Sequence, residues 1–351
     1  MLQNSAEGEP HLAQNNDYRQ RNYYAAALDT PFALGKTVSI NGTATRRFSL
    51  VHDQLFFSTR NGQIYSMRAA DISDHAHKKA AEAISAPLLF RAPQLYITAV
   101  KGKDGLLQYD LIGRRILKKE KQEFSYSTPV VYQNLLFHAG ASGAVYCFDA
   151  RDEKLLWKSD MGGKINSNIS FDGKDLFVLT QNGVLRCFTP RDGQINWSQQ
   201  LDDSFHIPPL ITESAVYCAG YGGKLFMLDK AGGELRQRLE LGQPVLTPLS
   251  ADEENLFITT SDGTLRCYNS DLTLKWQVIL DAPLTIPVLV TDNMIIAGSS
   301  QRSLYILEKN RGTSLQRISL EGRPASLPVV YKNRLILAME YEKIIELQVM
   351  K

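Results

Sequence analysis

Cysteine and histidine are the residue types here that could bind a metal or act as nucleophiles, but their spacing favours neither chemistry. The cysteines are Cys147, Cys187, Cys218 and Cys267. No two are adjacent and no CxxC spacing occurs, so the pattern predicts neither a disulfide framework nor a zinc site. His75 and His77 lie two residues apart, which does not place them on one helix face as an i, i+4 ligand pair. We therefore expect no catalytic residue, no metal and no cofactor.

The composition narrows the class of protein further. The chain has 351 residues, of which 44% are hydrophobic and 22% charged, and this excludes intrinsic disorder. A net charge of +2 gives no reason to expect a nucleic-acid partner. No apolar run reaches the roughly 18 residues of a membrane-spanning helix. Residues 1–22 are polar, so the sequence as given predicts no signal peptide.

A repeat of about 40 residues dominates the sequence. Its clearest marker is a glycine whose successive spacings are 43, 38, 40, 40 and 40. These glycines are Gly62, Gly105, Gly143, Gly183, Gly223 and Gly263. Continuing the period leads to Arg302 and then Lys343, which gives eight units in residues 35–351. Repeats of this length indicate a stack of similar units around one core.

Two further markers keep the same period. A proline precedes a short apolar run in six units, and Asn168 and Ser49 take its place in the other two. Trp157, Trp197 and Trp276 follow their glycines by 14, 14 and 13 residues. Each unit then holds four short strands, and apolar residues on both faces of the third strand require a sheet on either side. The sequence predicts an all-β fold, an eight-bladed β-propeller of four-stranded antiparallel blades.

The ends of the chain predict how the ring closes. The last unit stops after its third strand, and the segment around Val38 has the strand character to supply the fourth. Such closure removes an exposed sheet edge. We expect residues 1–33 to be a polar, partly disordered segment and residues 34–351 to form the propeller. An Ala-rich stretch at about 71–84 predicts a short helix inserted in the first blade.

The repeat resembles the pyrroloquinoline-quinone-type (PQQ-type) propeller repeat. Residues 188–197, with the sequence FTPRDGQINW, are similar to the tryptophan docking motif of that family, and residues 148–157 are a weaker copy. The resemblance covers about nine tenths of the chain and implies the propeller fold. Two groups of proteins share this repeat, and fold alone does not fix their chemistry.

The resemblance to one group implies a non-catalytic scaffold, whereas the other group implies an enzyme. Quinoprotein dehydrogenases are longer, with the quinone in the propeller axis beside a vicinal cysteine disulfide that this sequence lacks. The outer-membrane barrel-assembly lipoprotein B group is closer in length and blade number. It implies protein partners and a periplasmic or outer-membrane location in a bacterial cell envelope. A PQQ-dependent dehydrogenase or degenerate quinoprotein, and a ligand-sensing propeller, remain the alternatives; four unpaired cysteines also fit the cytoplasm.

Strand connectivity predicts where a partner would bind. The turns between second and third strands and the loops between blades emerge on the same face of an antiparallel blade. Loops on a rigid scaffold are the usual place for binding, and tyrosine and arginine are favoured contact residues. The predicted interaction face comprises Arg60, Lys103, Gln181, His206, Tyr221, Asp262, Arg302 and Tyr341.

Overall fold

Eight antiparallel sheets stand in a ring and form an eight-bladed β-propeller. The computed structural model describes residues 21–350 apart from 102–103, 121–122 and 153. Each blade runs from an innermost strand at the axis to an outermost strand at the surface. The fold class predicted from the repeat is confirmed. The described residues include no helix that is long and apolar enough to cross a membrane.

The strand bounds follow the repeat closely. From the axis outward, blade 1 consists of Ser49–Val51, Gln54–Ser58, Gln63–Arg68 and Asp71–Lys79, and blade 2 of Leu89–Arg91, Gln94–Lys101, Leu106–Asp110 and Arg115–Glu120. Blade 3 consists of Val130–Tyr132, Leu135–Ala139, Ala144–Asp149 and Leu155–Asp160, and blade 4 of Ser170–Phe171, Leu176–Leu179, Val184–Phe188 and Ile195–Gln200. Blade 5 consists of Leu210–Ile211, Ala215–Ala219, Lys224–Asp229 and Leu235–Glu240, and blade 6 of Ser250–Ala251, Asn255–Thr259, Thr264–Asn269 and Leu274–Ile279. Blade 7 consists of Leu289–Thr291, Met294–Gly298, Ser303–Glu308 and Ser314–Ser319, and blade 8 of Val329–Tyr331, Arg334–Met339, Lys343–Val349 and Phe32–Ser39. Tyr23–Tyr24 adds to blade 7 and Ala83–Ile84 to blade 2.

The hydrophobic core lies between neighbouring blades. Phe177 and Cys187 of blade 4 pack in one buried cluster with Val216 and Phe226 of blade 5. The middle strands are therefore apolar on both faces, whereas the outermost strand Leu235–Glu240 is mainly exposed. Burying each large apolar side chain contributes about 1.5–3 kcal/mol, so every blade depends on its two neighbours for stability.

The ring closes as the chain ends predict. The strand Phe32–Ser39 pairs antiparallel with Lys343–Val349, and Val38 lies opposite Ile344. The first described strand of the propeller wall thus completes the blade that the end of the chain begins. Because this pairing covers the edge of Lys343–Val349, the last blade has the same four strands as the others.

The glycine marker is a turn that needs left-handed backbone. Gly183 and Gly223 connect second and third strands with φ of +90° and +82°. Where glycine is missing, Arg302 adopts φ +59° and Tyr341 adopts φ +66°. The repeat period extrapolated to Lys343 in the last blade, but that residue begins the third strand and the turn precedes it. The turn geometry is therefore retained without glycine, at some cost in backbone strain.

The prediction of a helix at about 71–84 is wrong. Asp71–Lys79 is the outermost strand of blade 1, and Ala83–Ile84 pairs with the second strand of blade 2. Ile72 is buried, whereas most of the strand is exposed. An outermost strand is solvated along most of its length, so it has no need of alternating apolar residues. The composition of residues 71–84, with four alanines and two lysines, then resembles that of a helix surface.

Candidate functional site: the loop face and the axial funnel

The predicted interaction residues occupy equivalent turns on one face of the ring, here called the loop face. The described members of the set in turns between second and third strands are Arg60, Gln181, Tyr221, Asp262, Arg302 and Tyr341. His206 lies on the loop between blades 4 and 5, which emerges on the same face. Lys103 lies outside the described residues. The connectivity argument thus places this set on one surface, and its binding role stays a prediction.

The loop face includes a contact between an inter-blade loop and a turn of blade 5. The rings of His206 and Tyr221 meet edge to face, with centroids 6.1 Å apart. Asp203 accepts hydrogen bonds of 2.6 Å from the backbone N–H groups of Ser204 and Gly222. A Cβ atom at Gly220 would lie 2.2 Å from Asp203, so glycine is required there. Asp203 therefore fixes both loops, and the exposed Tyr221 ring is presented from a rigid base.

Two other predicted residues have hydrogen-bond partners on the loop face. The Asn166 side-chain amide donates a 3.0 Å hydrogen bond to Gln181. Asp262 accepts hydrogen bonds from the Thr260 hydroxyl at 2.6 Å and the Thr264 N–H at 3.1 Å. Burial raises the pKa of Asp262, but these hydrogen bonds outweigh it and leave the pKa lowered. Asp262 is thus a carboxylate that stabilises its own turn.

A funnel opens at the axis of the loop face, with a cavity volume of about 300 Å³. Part of its wall consists of residues that lie two positions before an innermost strand. Those that line the cavity are Arg47, Pro87, Asn168, Pro208, Pro248 and Pro287. Four of the six marker prolines therefore line the funnel. Arg47, not Ser49, takes the proline position in blade 1, because Ser49 pairs with Phe56 and begins the innermost strand.

The funnel carries positive charge. Arg46, Arg47, Arg60 and His206 line it, and its described lining includes no aspartate or glutamate. Arg46 is exposed to the solvent in the funnel, yet protein surrounds this concave site. Desolvation by that protein, and then the positive charge of Arg60, lower the pKa of the Arg46 guanidinium. Two like charges therefore face the same small volume.

Below the funnel, a segment near the start of the chain occupies the axis. Tyr23–Tyr24 runs parallel to Leu289–Thr291, the innermost strand of blade 7. The buried Asn22 donates a 2.8 Å hydrogen bond to the Leu249 carbonyl of blade 6, and its side-chain oxygen accepts one from Arg47. This segment thus forms a floor that ties blades 6 and 7 to the first blade.

Three further histidines, His75, His77 and His138, are accounted for by packing. His138 is fully buried, and burial lowers its pKa to about 4, so it is neutral at physiological pH. His75 and His77 lie on an outermost strand, where both rings contact Tyr65. Within the described part of the chain, no group of three or more His, Cys, Asp or Glu side chains could hold a metal ion.

The cysteines are buried components of the blades. Cys147, Cys187 and Cys267 each lie beside a tryptophan of the outermost strand, and burial raises the pKa of each thiol to about 12. Cys218 is also free and buried. Thiols protected in this way carry little information about the redox compartment, so the cytoplasmic alternative has no support from them.

Sequence comparison agrees with this geometry. The sequence profile described as outer membrane protein assembly factor BamB matches residues 141–236 and 205–285, which span the blades that carry the tryptophan motif. The chain thus resembles the PQQ-like repeat β-propellers. The predicted resemblance to this family is confirmed.

Individual relatives of this PQQ-like propeller are distant. BamB of Kangiella koreensis is 25% identical over 154 residues, covering 42% of this chain and 38% of the relative. BamB of Taylorella asinigenitalis is 20% identical over 192 residues, covering 52% and 49%. The matched region therefore spans less than half the length of these relatives.

Solved structures share the fold alone. BamB from Moraxella catarrhalis superposes with a TM-score of 0.74 at 14% identity, covering 91% of this chain and all of that one. Quinohemoprotein alcohol dehydrogenase from Comamonas testosteroni superposes with a TM-score of 0.81 at 11% identity, covering 96% and 80%. A scaffold and an enzyme are thus similarly good structural matches to this PQQ-like propeller, and its function must be argued from the site.

Sequence reasoning identified Arg60 and His206 but missed the funnel that brings them together. It also missed Arg46 and Arg47, although a signal was available. In the aligned repeats, the equivalent positions hold small or apolar residues such as Ala86 and Pro87. A pair of arginines at those positions in one unit departs from that pattern and indicates a local role.

Proposed function

We propose that this chain is a non-catalytic scaffold that binds other proteins during outer-membrane protein assembly in a bacterial cell envelope. The observation that carries the proposal is the match of residues 141–285 to the assembly-factor profile. Distant relatives that carry the name of that factor support the same function. The proposal places the protein in the periplasm or at the outer membrane.

The loop face supplies a suitable binding surface. Tyr221 and Tyr341 are 56% and 68% exposed, so a partner can reach both rings. The Asp203 hydrogen bonds hold Tyr221 in place before any partner arrives. A rigid aromatic side chain loses little conformational entropy on binding, which favours its use as an interface anchor.

Site-specific photocrosslinking in the native cells tests the proposal. A benzoyl-phenylalanine replaces Tyr221 or Tyr341, and the adducts are identified by mass spectrometry after envelope fractionation. Proteins of outer-membrane assembly should be captured at both positions. Ile112 is a matched control, because it is 81% exposed in a turn on the opposite face.

Several outcomes would contradict the proposal. If neither tyrosine captures a protein, or if position 112 captures proteins equally well, the loop face is not the binding surface. Recovery of the chain outside the envelope fraction would refute the location. Dye reduction that depends on added pyrroloquinoline quinone and calcium would refute the absence of catalysis.

A further inference from the structure

Two arginines in the axial funnel have no structural partner. Neither Arg46 nor Arg60 forms a side-chain hydrogen bond or ion pair with any described residue. Arg47, in contrast, binds Asn22 in the floor. Holding two guanidinium groups near each other in a concave site costs free energy, because solvent screens them less than on an open surface. A bound anion would offset that cost.

The axis accepts an extended polypeptide. The chain's own segment Tyr23–Tyr24 adds to an innermost strand, and the N–H groups of Ala251 and Val290 donate hydrogen bonds of 2.8 and 3.0 Å to the carbonyl oxygens of Arg21 and Asn22. Adding a strand to a free sheet edge is a general mode of peptide recognition. The space around the axis is therefore wide enough for an extended chain, and inner edges of blades can bind its backbone.

The rest of the funnel wall suits a peptide. Tyr126 is 50% exposed and offers an aromatic contact. Asn168 adds a side-chain amide to the lining, whereas prolines such as Pro208 and Pro248 add rigid apolar surface. A wall of this kind can contact an extended chain along its length, with the arginines as the points of specificity.

We infer that the axial funnel binds an extended acidic segment of a protein partner, whose carboxylates pair with Arg46 and Arg60. This inference rests on the proposed function and adds the chemistry of the partner to it. Guanidinium groups suit carboxylates because two parallel N–H donors match the two oxygens. An acidic segment would bind inside the funnel, whereas Tyr221 and Tyr341 lie outside its lining on the loop face. The funnel and these tyrosines would therefore contact different parts of one partner.

Fluorescence anisotropy with defined peptides tests the inference. The probe is a labelled peptide of alternating serine and aspartate, and its serine–asparagine counterpart is the uncharged control. The full chain should bind the acidic probe, and added salt should weaken the complex. The double variant Arg46→Gln/Arg60→Gln should bind it at least about tenfold more weakly, the effect of losing roughly one charge-pairing contact. Both arginines are exposed and the change removes their mutual repulsion, so it should not lower the thermal midpoint.

A matched variant separates local from overall charge. Arg191→Gln/Arg311→Gln removes the same charge from exposed turns on the opposite face and should bind the acidic probe like the wild type. Equal weakening in both double variants, equal binding of the two peptides, or no binding at all would overturn the inference. Displacement of the probe by inorganic phosphate at similar concentrations would instead assign the funnel to small anions and also overturn it.

Photocrosslinking distinguishes this failure from failure of the proposed function. If the crosslinker at Tyr221 captures partners equally well with and without Arg46 and Arg60, and a crosslinker at Tyr126 captures none, the scaffold role stands and the funnel inference falls. If Tyr221 captures no partner in the wild type, the proposed function itself falls. Capture at Tyr126 of an acidic stretch, mapped by mass spectrometry, is the result that we expect.

Discussion

The indole nitrogen of Trp197 donates a 3.0 Å hydrogen bond to the backbone carbonyl oxygen of Lys230, 33 residues later and in the next blade. Trp157 and Trp276 make the same contact at the same separation, to Pro190 and Lys309. The Lys230 side chain also forms a 2.9 Å ion pair with Asp172, which lies in the same blade as Trp197. These hydrogen bonds and the ion pair, here called latch contacts, thus join adjacent blades in addition to the packing at the blade centres.

Replacing Trp197 with phenylalanine should lower the free energy of unfolding by about 1–3 kcal/mol. The change removes the N–H group that donates to the Lys230 carbonyl oxygen. It also leaves empty space in a buried site, because the Trp197 side chain is only 8% exposed. Urea unfolding, followed by circular dichroism, measures the loss. Tyr126→Phe is the control, because its side chain is half exposed and its loss should be within about 0.5 kcal/mol. Equal losses would show that the latch adds no stability.

Acid should weaken the Asp172–Lys230 latch. Burial raises the pKa of Asp172, but hydrogen bonds from the Asp175 N–H and from Lys230 outweigh it, so the pKa in the folded chain is lowered. The latch therefore contributes its full stability above the unfolded-state pKa of about 4. That contribution is lost as the pH falls through the lower, folded-state value.

The variant Asp172→Asn isolates this effect. It should reduce stability by about 2 kcal/mol at pH 7, since it removes a charged hydrogen-bond partner of Lys230. The difference from wild type should begin to shrink as the pH falls below about 4, and it should disappear once the pH is below the lowered folded-state pKa of Asp172, where the wild-type carboxylate is protonated. Thermal midpoints across a pH series measure it. Asp152→Asn, in an exposed turn, is the control and should show no such convergence.

Two glycines with similar backbone should differ sharply in their tolerance of alanine. Gly162 has φ +73° and open space around a built Cβ, so Gly162→Ala should cost about 1–2 kcal/mol from backbone strain alone. Gly183 has φ +90°, and its Cβ would lie 2.1 Å from the Leu201 carbonyl oxygen. Gly183→Ala should therefore cost at least about 2 kcal/mol more in urea unfolding. Equal costs would mean that the inter-blade loop moves freely.

The four cysteines should be unreactive in the folded chain. The thiols are buried, and burial raises the pKa of each, so little thiolate is available to a disulfide reagent. Labelling should be at least about a hundredfold slower than in urea, because it requires local opening. An exposed thiol introduced by Asn310→Cys should react at once and serves as the control. Rapid labelling of the wild type would contradict the burial.

The repeat made the fold predictable because its markers report local geometry. The glycine marks a left-handed turn, as at Gly183, and the tryptophan marks the latch, as at Trp197. Ring closure followed from the missing fourth strand and the strand character around Val38. Each of these signals comes from residues whose role repeats in several blades, so the pattern could be checked against itself.

The structural features that the sequence analysis did not predict occur only once among the described blades, so no repeated sequence pattern indicates them. The strand at Asp71–Lys79 is unusually polar, and its composition alone cannot distinguish a solvated strand from a helix. The segment Tyr23–Tyr24, which forms the floor below the funnel, pairs with residues more than two hundred positions away, such as Val290. The funnel needs Arg46 and Arg60 from separate loops of blade 1 to meet at the axis, which depends on tertiary geometry.

The closing strand also dictates an order of events during biosynthesis. Leu34 lies opposite Leu347, so the pairing that seals the ring joins strands that lie far apart in the chain. That pairing cannot form until Lys343–Val349 has been synthesised, and it closes a loop that contains the seven other blades. The strand Phe32–Ser39 therefore stays without its sheet partner while the seven other blades are synthesised.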